Sequence, residues 1–224
     1  MRAILIFTIL CCPALYADAR YKLAYNVKAN SLLQMVAGIA GFSRMSSAGD
    51  EVLLRGSKLS IRTATSTVIV DYSNRNMIVV DHAEKNFERL TMDEMQKRIS
   101  EDIPSPLVSA LKKLFPTDGK SNTQVKVDKE GKAATMPSID KFRLKHGLAY
   151  LAPAMESIIS LAPSVEQGFE QTRREGALAT ALKVQIGAEG RIIDALVEII
   201  DYHEVLLQDS NFLPPADYTE VKVQ

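Results

Sequence analysis

The chain has 224 residues, 46% of them hydrophobic, and 27 Lys plus Arg against 27 Asp plus Glu give a formal net charge of zero. That length can bury one sizeable core without help from metals or disulfides. The even charge balance removes any general electrostatic case for nucleic acid or an anionic membrane as partner, and no nucleic-acid partner is expected.

Arg2 precedes the apolar run from Ala3 to Leu10, which is far short of the roughly 20 residues a membrane-crossing helix needs. Pro13 breaks the run, and Ala17-Asp18-Ala19 supplies a small-x-small site, so residues 1–19 read as a signal peptide removed before Arg20. Residues 20–224 are then expected to form a single domain, periplasmic or secreted. Cys11 and Cys12 both lie in the part removed, which leaves no disulfide in the mature protein. A lipidated cysteine normally follows a small residue, whereas Leu10 and Cys11 precede these two, so a soluble product is expected.

Tyr21, Leu23, Tyr25 and Val27 alternate with polar or small residues, the period of two that marks a strand with one face in the core. Residues 31–45 change to helical spacing, with Leu32, Met35, Val36, Ile39 and Phe42 interrupted by Gly38 and Gly41. The run Val52-Leu53-Leu54, continued by Leu59 and Ile61, predicts one strand bent at Gly56. Residues 67–71, 77–81 and 86–90 follow as short strands separated by polar turns, a meander, because parallel pairing would need longer crossovers.

Thr91 and Glu94 have capping-box spacing and open a helical region near 91–115, broken around Pro104 and Pro106. Residues 124–128 and 139–144 are read as further strands. A helical region at 146–174 places Leu148, Leu151, Met155, Ile158 and Ile159 along one side. Residues 179–186 return to β; Ile192 to Ile200 fit helix or strand by composition, with strand preferred because the β-like pattern continues through Val205, and Phe212-Leu213-Pro214-Pro215 with Tyr218 reads as a C-terminal clasp.

Four pieces carry a resemblance: the opening strand Tyr21 to Val27, the strands Val68 to Asp71 and Met77 to Asp81, the hairpin Lys85 to Thr91, and the closing segment Asp209 to Val221. In their order and spacing they resemble a small bacterial exported domain of unknown function, grouped with the outer-membrane lipoprotein-sorting proteins. The resemblance implies a mainly β fold with α: a strongly curved antiparallel sheet or incomplete barrel, covered by helices, that holds an acyl chain or other apolar partner.

Polar clusters point less clearly. Asp201 and His203 share one face of an extended strand, yet the segment lacks the paired histidines and intervening glutamate of a hydrolytic zinc site, so no metal site is expected. No serine sits in Gly-x-Ser-x-Gly and no glycine-rich phosphate loop occurs. No catalytic residue and no cofactor is assigned. The expected function is noncatalytic binding or carriage of a lipid, an apolar small molecule or a lipidated peptide in the bacterial envelope. Leu32, Val36, Ile39 and Phe42 would form one wall of the site and Leu151, Met155, Ile158 and Ile159 the other. The alternatives are a structural domain with a filled core, one that binds another envelope protein, and more distantly an enzyme of unknown class.

Overall fold

The computed structural model describes residues 18–29, 49–95, 97, 125–130, 136–151, 180–186 and 193–222. Among the described residues ten strands form one sheet: β1 (Asp18–Ala29), β2 (Asp50–Arg55), β3 (Lys58–Arg62), β4 (Ser66–Asp71), β5 (Asn76–Asp81), β6 (Asn86–Thr91), β7 (Val125–Glu130), β8 (Ala181–Ile186), β9 (Ile193–Val205) and β10 (Thr219–Glu220). Their order is β10-β6-β5-β4-β3-β2-β1-β9-β8-β7.

This order corrects the expected architecture. The sheet is open, with β10 and β7 at opposite edges, and is neither an incomplete barrel nor strongly curved. It is also mixed, because β10 pairs parallel to β6 while the other pairs are antiparallel. Closure would require the two edge strands to meet in a consistent stagger. Instead, tight hairpins from β2 to β6 keep each strand beside its neighbour in sequence.

The first hairpin shows why one expected strand became two. Gly56 has φ +59°, the left-handed conformation that glycine adopts without steric cost and that a two-residue hairpin turn needs at its first central position. The chain therefore folds back at Gly56-Ser57, pairing Leu54 with Leu59 and Val52 with Ile61. The next two turns are built alike: Asp71 Oδ1 accepts the amides of Ser73 and Asn74 at 3.0 and 3.2 Å, and Asp81 Oδ1 those of Ala83 and Glu84 at 2.8 and 3.0 Å. Each turn ends on a residue of positive φ, Arg75 or Lys85. These aspartates hold the donors that the ladder cannot reach.

Residues 139–144 are helix, not strand. The helix α1 (Pro137–His146) begins with Pro near its first position, carries Asp140 in its first turn and Arg143, Lys145 and His146 in its last, and stops at Gly147 with φ +59°. Those are the stop and start signals of a helix, and they outweigh an alternation spanning only a few residues. A 3-10 turn (Gly147–Tyr150) follows. The capping box at Thr91 forms as read: Glu94 Oε2 accepts the Thr91 amide at 2.6 Å, and Thr91 Oγ1 accepts the Glu94 amide at 3.1 Å. Helix starts at Met92. Of the three expected helical inserts, 31–45 and most of 91–115 and of 146–174 lie outside the described residues.

Val52, Leu53 and Leu54 are all buried, so β2 is covered on both faces of the sheet, as a continuous apolar run implies. On one face, the helix face, lie the buried Ala19, Tyr21, Leu54, Leu59 and Val70, and α1, with Ile139 and Phe142 buried, packs on this face against β1 and β2. On the other, the clasp face, Phe212 packs on Leu53 and Ile69, with Ile78 and Leu207 beside it. The C-terminal clasp is thus a plug of one aromatic side chain; burying a ring of that size contributes about 2 to 3 kcal/mol. Arg62 reinforces it by donating to the Asn211 carbonyl at 3.3 Å.

Candidate functional site

The register lays two rows of side chains across the helix face. The first row, Ala19, Leu54, Leu59, Val70, Met77 and Leu90, is buried throughout. Tyr21 and Tyr150 are both fully buried next to it, and the Tyr21 hydroxyl donates to the Tyr150 carbonyl at 2.8 Å. Burial pushes that phenol well above its ordinary pKa, with the neighbouring Tyr72 and Tyr150 adding to the effect. At the far end of α1, Tyr72, Phe142 and His146 stack as three rings with centroids 4.7 to 5.4 Å apart. Burial lowers the His146 pKa from its usual 6.5, Lys145 lowers it further, and Asp71 opposes both. This end of the face is a filled core.

The second row behaves differently. It runs from Tyr21 and Val52, both fully buried, to Ile61, Val68, Val79 and Glu88, each only half-buried. Three aliphatic β-branched side chains on adjacent strands therefore form an apolar strip that is not fully packed. Branched residues suit a pleated surface and present a stiff, flat wall. Nearby on the same face, Asp50 sits opposite Leu23, with Tyr25 two positions farther along β1. Burial raises the Asp50 pKa, and burial with the Asp50 charge raises that of Tyr25. This end of the strip thus disfavours charge while keeping hydroxyl and carboxyl groups available for hydrogen bonding.

A third feature is the bulge in β9. Arg20 pairs with His203 and Lys22 with Ile200, so Asp201 and Tyr202 together oppose Tyr21. Asp201 takes up the extra residue at φ +56°. Lys22 Nζ reaches Asp201 Oδ2 at 2.7 Å, and His203 Nε2 lies 3.1 Å from Asp201 Oδ1. The hydrogen bonds from Lys22 and His203 hold the Asp201 carboxyl below its ordinary pKa. Asp201 and His203 do share a face as the sequence suggested, but among the described residues no group of three metal-ligating side chains occurs. The exposed Lys22, Asp201 and His203 satisfy one another, the behaviour of a solvated ion-pair network. On the opposite face of β9, Glu204 Oε1 accepts from the Tyr202 hydroxyl at 2.6 Å and from Ser138 Oγ at 3.3 Å, which ties the start of α1 to the strand.

Of the residues read from the sequence as ligand-binding candidates, Leu151 is fully buried directly after the 3-10 turn and belongs to the filled end. Leu32, Val36, Ile39, Phe42, Met155, Ile158 and Ile159 lie outside the described residues. Ile61, Val68 and Val79 escaped the sequence reading. Their strands were legible, and so was their alternation, but only the register shows that the three meet in one row beside a fully buried one. No protein-family model matches the chain, and neither does any curated protein.

Proposed function

We propose that this protein binds and carries an apolar ligand, a lipid, an apolar small molecule or a lipidated peptide, without catalysis, and that it does so in the bacterial envelope after removal of an N-terminal leader. The observation that supports the reading is the half-buried strip Ile61, Val68 and Val79 beside a fully packed row of the same face. Apolar side chains on rigid strands, with a few polar groups at one end, are what a ligand site of this kind requires. Tyr25 and Asp50 would meet the polar end of such a ligand, and the strip its hydrocarbon body. A second reading, a domain with a filled core that serves structure or protein contacts, draws on the close packing under α1.

The two readings part on a binding measurement. Val68→Thr combined with Val79→Thr keeps side-chain shape but adds two hydroxyls to the strip. Each hydroxyl costs about 0.5 to 2 kcal/mol when pressed against hydrocarbon. The double variant is expected to bind a fluorescent long-chain fatty acid roughly tenfold more weakly than the parent, as titration would show. Unchanged affinity in a stably folded variant, or no saturable binding by the parent, favours the filled-core reading.

A further inference from the structure

Strand β1 opens on a buried carboxylate. Asp18 is 4% exposed, its Oδ2 accepts the Leu207 amide at 3.0 Å, and it lies 3.7 Å from Arg55 Nε. The same guanidinium holds Asp209 through Nη1 at 2.9 Å, so Asp18 is the inner anchor of the segment that leads to the Phe212 plug. Ala19 is fully buried, paired with Leu54 on one side and Glu204 on the other, and Asp18 itself pairs with Val205. A cut after Ala19 would remove both residues. The Leu207 amide would lose its acceptor, Arg55 its inner carboxylate, and the sheet the first two rungs of its longest ladder.

We infer that the leader is cut between Ala17 and Asp18, so that Asp18 is the first residue of the exported protein; this rests on the export reading above. The leader peptidase hydrolyses the Ala17–Asp18 amide, water providing the new oxygen of the Ala17 carboxylate and the hydrogens that complete the Asp18 ammonium. Both cuts leave alanine immediately before the broken bond. They differ at the third residue before it, Leu15 for this cut and Ala17 for the later one. The small-residue pattern alone therefore leans toward Ala19. Against that lean stands a carboxylate in a charge-assisted hydrogen bond, among the stronger kinds of contact a side chain makes.

The test is to export the full chain under its own leader and determine the intact mass and N-terminal sequence. A start at Asp18 is expected. A start at Arg20, or at any other residue beyond the leader run, overturns the inference and leaves export standing; retention of Met1 overturns both. In the same exported protein, Asp18→Ala is expected to lower the melting temperature by roughly 5 °C, and Asp18→Asn, which keeps an acceptor, by less. If Asp18→Ala melts with the parent, Asp18 anchors nothing and the reason for placing the cut before it is gone.

Discussion

Tyr21 and His146 show how single groups set the properties of the helix-covered end. The Tyr21 hydroxyl is fully enclosed and bonded to the Tyr150 carbonyl at 2.8 Å. Tyr21→Phe keeps the ring and removes this buried hydrogen bond, so it is expected to cost about 1 to 2 kcal/mol in chemical denaturation. His146 acts through pH. Its folded pKa lies below the ordinary 6.5, so between those two values the unfolded chain holds more protons than the fold. Stability therefore rises with pH through that window and is lost as pH falls below about 6.5. His146→Phe, which keeps a ring against Tyr72 and Phe142, is expected to flatten this slope in melting curves taken across it. Asp50 works in the opposite sense at more acid pH: its raised pKa means that the fold binds the proton more readily, and stability there grows as pH falls.

Among the elements, strands were legible wherever alternation was long or turn chemistry strong. The pairs 67–71 and 77–81 were read almost to the residue, because each is bounded by an aspartate whose side chain closes the following turn. The last long run is β from Ile193 to Val205, the 13 residues of β9, in keeping with its β-branched content. Residues 139–144 were misread because Ile139, Phe142 and Leu144 fit neither period cleanly, and the decisive signals, Pro137 and Gly147, stand outside the segment. The clasp was legible as an apolar cluster but not its target. Phe212 closes the face opposite α1, over Leu53 and Ile69. Phe212→Ala is accordingly expected to destabilise by about 3 kcal/mol while leaving apolar binding on the helix face at parental affinity; equilibrium unfolding and fatty-acid titration of the same sample would check both halves.

Across the whole molecule, one sheet is covered unequally. The clasp face carries a compact plug, and the helix face divides into a packed row, with α1 over its β1 and β2 end, and the half-buried strip from Ile61 to Val79. That division is a product of register, since shifting one strand by a single residue would turn its apolar set to the other face. No single stretch of sequence contains it, because the three strip residues come from three strands and the covering helix from a fourth segment more than fifty residues later. The expected barrel-like curvature fell for a related reason: hairpin connections fix neighbours, but nothing in them draws β10 toward β7. The carrier reading therefore rests on an incompletely packed strip of an open sheet. Its most direct test is to purify the exported protein without detergent, extract it with organic solvent, and identify co-purifying molecules by mass spectrometry alongside the Val68→Thr, Val79→Thr double variant. A stoichiometric apolar species is expected in the parent, depleted in the variant. A parent that yields no such species and, once stripped, takes up no fatty acid at saturation would contradict it.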